Sequence, residues 1–178
     1  MKNAIILHGT ADKNTDFWFP YLKEKLEEKG YEVWLPQLPN AEIPNLKDWL
    51  TFVLENGKFN SETVIVGHSA GAQLILSILE NIETPIKQVI LVSGYAKALR
   101  TTPETGKNVE DFNWEKIKGK AEKLIFINSD NVIFIPFRDY LVCQIINYTL
   151  SGIILLIKFY IIPYRVRFQA SNIIIILT

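Results

Sequence analysis

The sequence predicts one α/β domain in which a mostly parallel sheet lies between layers of helices. Two observations predict it. Short apolar, β-branched runs alternate along the chain with segments whose apolar residues recur at helical spacing. Those runs are apolar throughout rather than on alternate residues, as expected for strands that are covered on both faces. A chain of 178 residues is also long enough to bury a substantial core.

The first strand is predicted at 3–7, and the turn His8-Gly9-Thr10 ends it. A helix follows, with Trp18, Leu22 and Leu26 on one stripe. Thr15 and Asp16 are its candidate N-caps, Pro20 is tolerated in its first turn, and Gly30 is its predicted stop.

Later elements repeat this alternation. A strand is predicted at 31–35, and Asn45 marks the start of an amphipathic helix. The further elements are strands at 88–92 and 123–128 and a short helix beginning at Trp114. Residues 96–113 are predicted to form a loop or lid, with Phe112 and Trp114 packing under it rather than covering a substrate.

The most informative stretch is Gly-x-Ser-x-Gly at 67–71, which stands between a strand pattern and a helix pattern. This context predicts a nucleophile elbow, a sharp turn that holds a serine in a strained backbone conformation. Gly67 and Gly71 leave room for such a turn. The elbow would expose the Ser69 hydroxyl as a nucleophile and the Ala70 N–H as an oxyanion donor. A glycine-flanked turn without chemistry is the alternative, and the flanking patterns favour the elbow.

Several polar residues follow predicted strands. Loops after the carboxyl ends of parallel strands gather at one edge of the sheet. We therefore expect one cleft to contain the His8-Gly9-Thr10 turn, Ser69, Ser93 and Asp130.

Composition excludes some classes of function. The formal net charge is zero, with 19 basic and 19 acidic residues, so binding to nucleic acid is not favoured. The apolar stretch at 4–7 is too short for a secretory signal. Cys143 is the only cysteine, which rules out an intramolecular disulfide and favours a cytoplasmic protein.

Five stretches share the order and spacing of a known family. They are the His8-Gly9-Thr10 turn, Gly67-His68-Ser69-Ala70-Gly71, Val92-Ser93-Gly94-Tyr95, Trp114-Glu115-Lys116-Ile117 and Ser129-Asp130-Asn131. Over about residues 2–131 the chain resembles a small branch of the α/β-hydrolases, the serine hydrolases of the retinoblastoma-binding protein nine and YdeN type.

The resemblance implies an α/β-hydrolase-like three-layer sandwich. It implies that Ser69 attacks a small ester or amide and forms an acyl-enzyme that water then hydrolyses. The N–H groups of Ala70 and Thr10 would form the oxyanion hole. No metal or organic cofactor is implied, and the partner would be a small-molecule acyl substrate.

The sequence departs from the family pattern at the other catalytic positions. The family places its acid directly before a proline, but Val132 and Ile133 stand there, which leaves Asp130 as the candidate acid. The family histidine follows the acid, whereas this sequence has only His8 and His68. His68 is the variable residue of the elbow, and His8 is expected to support the first loop. Without a general base we expect impaired catalysis.

Residues 132–178 differ in composition from the rest. They contain one of the 19 acidic residues and are rich in Ile, Tyr, Phe, Leu and Asn, which is typical of out-of-frame translation of AT-rich DNA. We therefore expect a hydrolase core at 1–131 and an atypical tail at 132–178, so that the C-terminal part of the fold is atypical or incomplete. The apolar stretch at 140–157 is long enough to span a membrane, but its polar residues make an anchor the less favoured interpretation.

An impaired serine hydrolase is the leading hypothesis. The alternatives are a binding protein that keeps the fold without catalysis, and a truncated or frameshifted product that does not fold stably.

Overall fold

The computed structural model describes residues 1–94 and 111–127, and within these ranges strands and helices alternate as predicted. The strands are β1 (Asn3–Leu7), β2 (Glu32–Trp34), β3 (Val64–His68), β4 (Ile86–Val92) and β5 (Ala121–Ile127). The helices are α1 (Phe19–Glu28), α2 (Leu46–Asn56), α3 (Ala70–Asn81) and α4 (Trp114–Ile117).

The described strands form one sheet in the order β2-β1-β3-β4-β5, and every pairing is parallel. The predicted parallel sheet is therefore confirmed. The register places Leu7 beside Gly67 and His68 beside Val92. The loops that follow β1, β3 and β4 consequently begin side by side at one edge of the sheet.

Helices cover both faces of this sheet. Ala4 and Ile6 of β1 pack in one apolar cluster with α1, whereas Ile5 and Leu7 pack in a second cluster with α2 and α3. Successive strand residues point to opposite faces, so a continuously apolar strand can supply both clusters. α3 lies deepest, with ten successive buried residues from Ala70 to Leu79.

The prediction for the start of α1 was wrong. Thr15 and Asp16 precede the helix, whose N-cap is Trp18 without a capping side-chain hydrogen bond. The Asp16 carboxylate instead accepts the backbone N–H three residues earlier, at 2.8 Å. Phe17 then adopts a φ of 50°, which a right-handed helix does not allow. Because of this local turn, the helix begins later in the sequence than predicted.

The other predicted helix signals agree with the structure. The Asn45 side chain caps α2 by accepting the N–H groups of Lys47 and Asp48, at 2.9 and 3.3 Å. Gly30 follows α1 with a φ of 82°. Phe112 is buried in the core, and the Trp114 ring lies 5.6 Å from it, but most of the loop under which the pair is predicted to pack lies outside the described residues.

Several predictions concern other parts of the chain. Most of the predicted loop at 96–113, the candidate acid Asp130 and the tail at 132–178 lie outside the described residues. Among the residues that are described, no helix is long and apolar enough to cross a membrane. The apolar stretch at 140–157 is not among them.

Candidate active site

Ser69 occupies the sharp turn between β3 and α3. Its φ of 52° and ψ of −116° lie outside the regions that non-glycine residues normally adopt, at a cost of about 1–3 kcal/mol. The Ser69 N–H donates to Val92 O at 2.9 Å, and the Ser69 carbonyl accepts the Ala72 N–H at 3.0 Å. Hydrogen bonds to β4 and to the first turn of α3 thus hold the strained residue in place.

The two glycines of the motif allow this turn to pack closely. A Cβ atom at Gly67 would lie 2.6 Å from the Gly71 carbonyl oxygen. A Cβ atom at Gly71 would lie 2.5 Å from the carbonyl oxygens of both Leu7 and His8. Such separations are too short for real atoms, so the elbow reaches its position against the end of β1 only with glycine at both positions.

Some backbone N–H groups beside Ser69 already donate to protein acceptors, and others do not. The Gly9 N–H donates to Asp12 Oδ2 at 2.9 Å, and the Ser69 N–H is bonded to β4. The N–H groups of Thr10 and Ala70 donate to no acceptor within 1–94 and 111–127. Ala70 is the first residue of α3, where N–H groups have no partner inside the helix. These two amides can therefore donate to a bound oxyanion.

Backbone strain is concentrated at this edge of the sheet. Five non-glycine residues in the described ranges have positive φ, and all of them follow the carboxyl end of a strand: Ala11, Phe17, Asn40, Ser69 and Ser93. Strain of this kind persists only where the surrounding structure imposes it, and it is typical of functional sites.

His8 is a structural residue of the first loop. Its ring is fully buried, Nδ1 donates to Gly9 O at 2.8 Å, and Nε2 accepts the Leu38 N–H at 2.9 Å. Burial lowers the pKa of His8, although the hydrogen bond to Gly9 and nearby Asp12 oppose this effect. The imidazole is therefore neutral and has no free lone pair with which to abstract a proton from Ser69.

His68 is held between Asp12 and a group of aromatic rings. Its Nδ1 lies 3.0 Å from Asp12 Oδ2. The ring centroids of Phe17, Trp18 and Phe19 lie 6.0, 6.2 and 5.9 Å from that of His68. Burial raises the pKa of Asp12, but the hydrogen bonds from His68 and Gly9 outweigh it and hold the pKa below its usual value. Asp12 is therefore a carboxylate near neutral pH.

The structure brings together most of the predicted cleft. Gly9 lies against the elbow, since a Cβ atom placed on it would be 3.0 Å from Ser69 Cβ. The Ser93 N–H donates to Ile127 O at 2.8 Å beside the same edge. Sequence reasoning missed Asp12, whose only signal was its position three residues after Gly9. In the described ranges no group of three or more His, Cys, Asp or Glu side chains is arranged to hold a metal.

Comparison with known proteins agrees with this geometry. A family model described as "Serine hydrolase" matches residues 4–140. The chain belongs to this serine hydrolase family. It is 34% identical over 140 residues to YdeN of Bacillus subtilis (strain 168), covering 76% of this chain and 74% of YdeN. It is 27% identical over 135 residues to serine hydrolase RBBP9 of Rattus norvegicus, covering 74% and 72% of the two chains.

A solved structure of the family supports the fold. The crystal structure of the ydeN gene product from B. subtilis superimposes with a TM-score of 0.76 and 30% identity, covering 90% of this chain and 86% of that one. The serine hydrolase chain is therefore an enzyme of the α/β-hydrolase class with a mostly parallel central sheet, as the sequence predicts.

Proposed function

We propose that this chain hydrolyses a small ester or amide with Ser69 as the nucleophile. The strained conformation of Ser69 between β3 and α3 carries the proposal, because backbone strain costs free energy and is found mainly at functional sites. The Ser69 Oγ would attack the substrate carbonyl carbon, and the carbonyl oxygen would become an oxyanion. The bond between the carbonyl carbon and the leaving group would then break, the leaving group would take up the proton lost by the Ser69 hydroxyl, and water would hydrolyse the acyl-enzyme to release the acid and free Ser69.

The N–H groups of Ala70 and Thr10 are the proposed oxyanion donors. The neighbouring amides support this assignment: the N–H groups of Gly9 and Ser69 already donate to protein acceptors and are not available to an oxyanion. Loss of one donor in such a site costs on the order of 3–4 kcal/mol of transition-state stabilisation.

Catalysis by these 178 residues is proposed to be impaired. His8 has both ring nitrogens engaged, and the only other histidine, His68, is bonded to Asp12 through Nδ1; within the described residues no hydrogen bond joins either ring to the Ser69 hydroxyl. A serine without a general base is a weak nucleophile, and removal of the base from a triad costs several orders of magnitude in rate. Asp130 remains the proposed acid.

Labelling with a fluorophosphonate probe tests the nucleophile. We expect slow modification of the purified chain at Ser69, located by peptide mass spectrometry, and none in Ser69→Ala. Added imidazole supplies a general base from solution, so it should accelerate labelling of the wild type alone. Folded protein that is not labelled, with or without imidazole, would contradict the proposal.

A binding protein of the same fold is the second candidate, and it is favoured because no histidine is hydrogen-bonded to the Ser69 hydroxyl within the described residues. It predicts that an acyl ligand raises the melting temperature, while any ester hydrolysis is the same in the wild type and in Ser69→Ala. A cytoplasmic location is proposed for either candidate, because Cys143 is the only cysteine.

The boundary between a core at 1–131 and an out-of-frame tail at 132–178 is also a proposal, supported by the presence of only one of the 19 acidic residues beyond 131. Sequencing the gene from the Ser129 codon onward tests it. Another reading frame that encodes Asp-Pro near 132 and a later histidine would support it. The absence of such a frame would contradict it.

A further inference from the structure

We propose that Asp12 is a positioning residue that holds the loop after β1 against the nucleophile elbow. This inference rests on the proposed function, because the loop contains the proposed oxyanion donor Thr10. Asp12 is not itself placed against the substrate. Its effect on the reaction would pass through the two residues that it binds.

One oxygen atom of Asp12 joins the two halves of the site. Oδ2 accepts the Gly9 N–H at 2.9 Å and lies 3.0 Å from His68 Nδ1. Gly9 directly precedes Thr10, and His68 directly precedes Ser69. The carboxylate therefore connects the neighbour of the proposed donor with the neighbour of the nucleophile.

His68, the partner in this contact, packs beside aromatic rings. Three aromatic rings surround it at about 6 Å, and its side chain is only 25% exposed. The Asp12 side chain is 13% exposed. Hydrogen bonds to a shielded carboxylate are stronger than neutral ones, so this contact resists displacement of the loop.

Asp12 holds the part of the loop beside the elbow through the Gly9 N–H, whereas a separate contact holds the loop at Ala11. Ala11 adopts a φ of 59°, and its N–H donates to Ala41 O at 2.7 Å. The space beside Gly9 is filled by Asp12 Oδ2 and Ser69 Cβ, at 2.9 and 3.0 Å from where a Cβ atom would stand. Removal of the carboxylate opens this space and leaves the buried Gly9 N–H without its acceptor.

Loss of the Asp12 carboxylate is expected to weaken stabilisation of the transition state. An oxyanion donor acts only if it lies within a few tenths of an ångström of its optimum, and a shift of about 1 Å can cost about 100-fold in rate. A substrate carbonyl in the ground state depends much less on that donor than the oxyanion does. Displacement of Thr10 should therefore lower the rate of acylation more than it lowers affinity.

The experiment measures fluorophosphonate labelling of Ser69 in four proteins: wild type, Asp12→Ala, Asp12→Asn and Asp48→Ala. Asp48 is an exposed aspartate on α2 and serves as the matched control. We expect Asp12→Ala to lower the limiting labelling rate about 10- to 100-fold with little change in half-saturating probe concentration. Asp12→Asn should recover much of the rate, because an amide oxygen can still accept both N–H groups.

Melting temperature and amide hydrogen exchange complete the test. The inference would be overturned if Asp12→Ala were labelled at the same rate as Asp48→Ala. It would also be overturned if the lower labelling rate of Asp12→Ala were fully explained by a smaller fraction of folded protein. A wild type that is not labelled would contradict the proposed function instead. Exchange at the Gly9 amide then decides about Asp12: faster exchange in Asp12→Ala alone supports its positioning role, and unchanged exchange overturns it.

Discussion

At the scale of single residues, Gly71 allows the elbow to pack against the end of β1. The α-carbon of Gly71 faces two backbone carbonyl oxygens at the end of β1, and backbone atoms cannot move aside as a flexible side chain can. The contact places the start of α3 directly against the loop that contains Thr10. Close packing and the proposed chemistry therefore depend on the same missing side chain.

Gly71→Ala is expected to destabilise the fold by on the order of 3 kcal/mol, because its Cβ would overlap backbone at 2.5 Å. Gly30→Ala is the control. Gly30 has a φ of 82°, but a Cβ atom added to it would have no neighbour within 4 Å, so the substitution should cost only about 1–2 kcal/mol. Urea unfolding of both variants measures the difference, and equal costs would show that the elbow can relax.

At the scale of elements, α2 links a standard helix signal to the site. Asn45 caps the helix, and Trp49 in its first turns donates from Nε1 to Pro39 O at 2.6 Å. The Trp49 ring also meets the buried His8 ring edge-on at 5.9 Å. The start of α2 thus helps to fix the loop that follows β1.

Asn45→Ala should lower the free energy of unfolding by about 1 kcal/mol, because two N–H groups at the start of α2 lose their acceptor. Asn45→Ser should restore most of the loss, since a serine hydroxyl can also cap a helix. Chemical denaturation of the three proteins checks this. If serine and alanine prove equally destabilising, packing rather than capping determines the effect.

At the scale of the whole molecule, His8 connects β1 to the chain that follows β2. It receives the Leu38 N–H, and Gln37 Nε2 lies 3.1 Å from the same ring nitrogen. Protonation would convert this nitrogen from an acceptor into a donor facing another donor. Folding therefore favours neutral His8, and global stability becomes dependent on pH.

The sign of this dependence follows from the lowered pKa of His8. Below about pH 6.5 the unfolded chain binds a proton that the folded chain does not, so stability should fall as the pH decreases toward the folded pKa. Asp12 affects stability in a different pH range. Because its pKa is lower in the folded chain, the ionised carboxylate stabilises the fold above about pH 4, and this stabilisation is lost in stronger acid.

Unfolding free energies measured between about pH 5 and pH 7 test the role of His8. The wild type should lose stability toward pH 5, whereas His8→Gln should be less stable at pH 7 but should vary less with pH. A variant with the same slope as the wild type would show that another group causes the dependence.

Much of the fold could be predicted because its signals are local. The apolar run at Asn3–Leu7 and the cap at Asn45 depend on residues close together in sequence, and both agree with the structure. The start of α1 failed as a prediction because an Asp16 turn competes with helix formation, and helix propensity does not register such a turn.

In the candidate site, too, the local features could be predicted and the long-range contacts could not. The Gly-x-Ser-x-Gly spacing identifies Ser69 and its glycines, since strand, turn and helix are consecutive there. Asp12 could not be identified, because its partner His68 is 56 positions away and only the β1–β3 pairing brings them together.

The sequence by itself determined the alternation of elements, the serine hydrolase family and the position of the proposed nucleophile, because these depend on spacing within short segments. Only the tertiary structure decided the strand order, the neutral state of His8 and the contact between Asp12 and the elbow. Those features arise from burial and from hydrogen bonds between distant segments, and no local pattern encodes them.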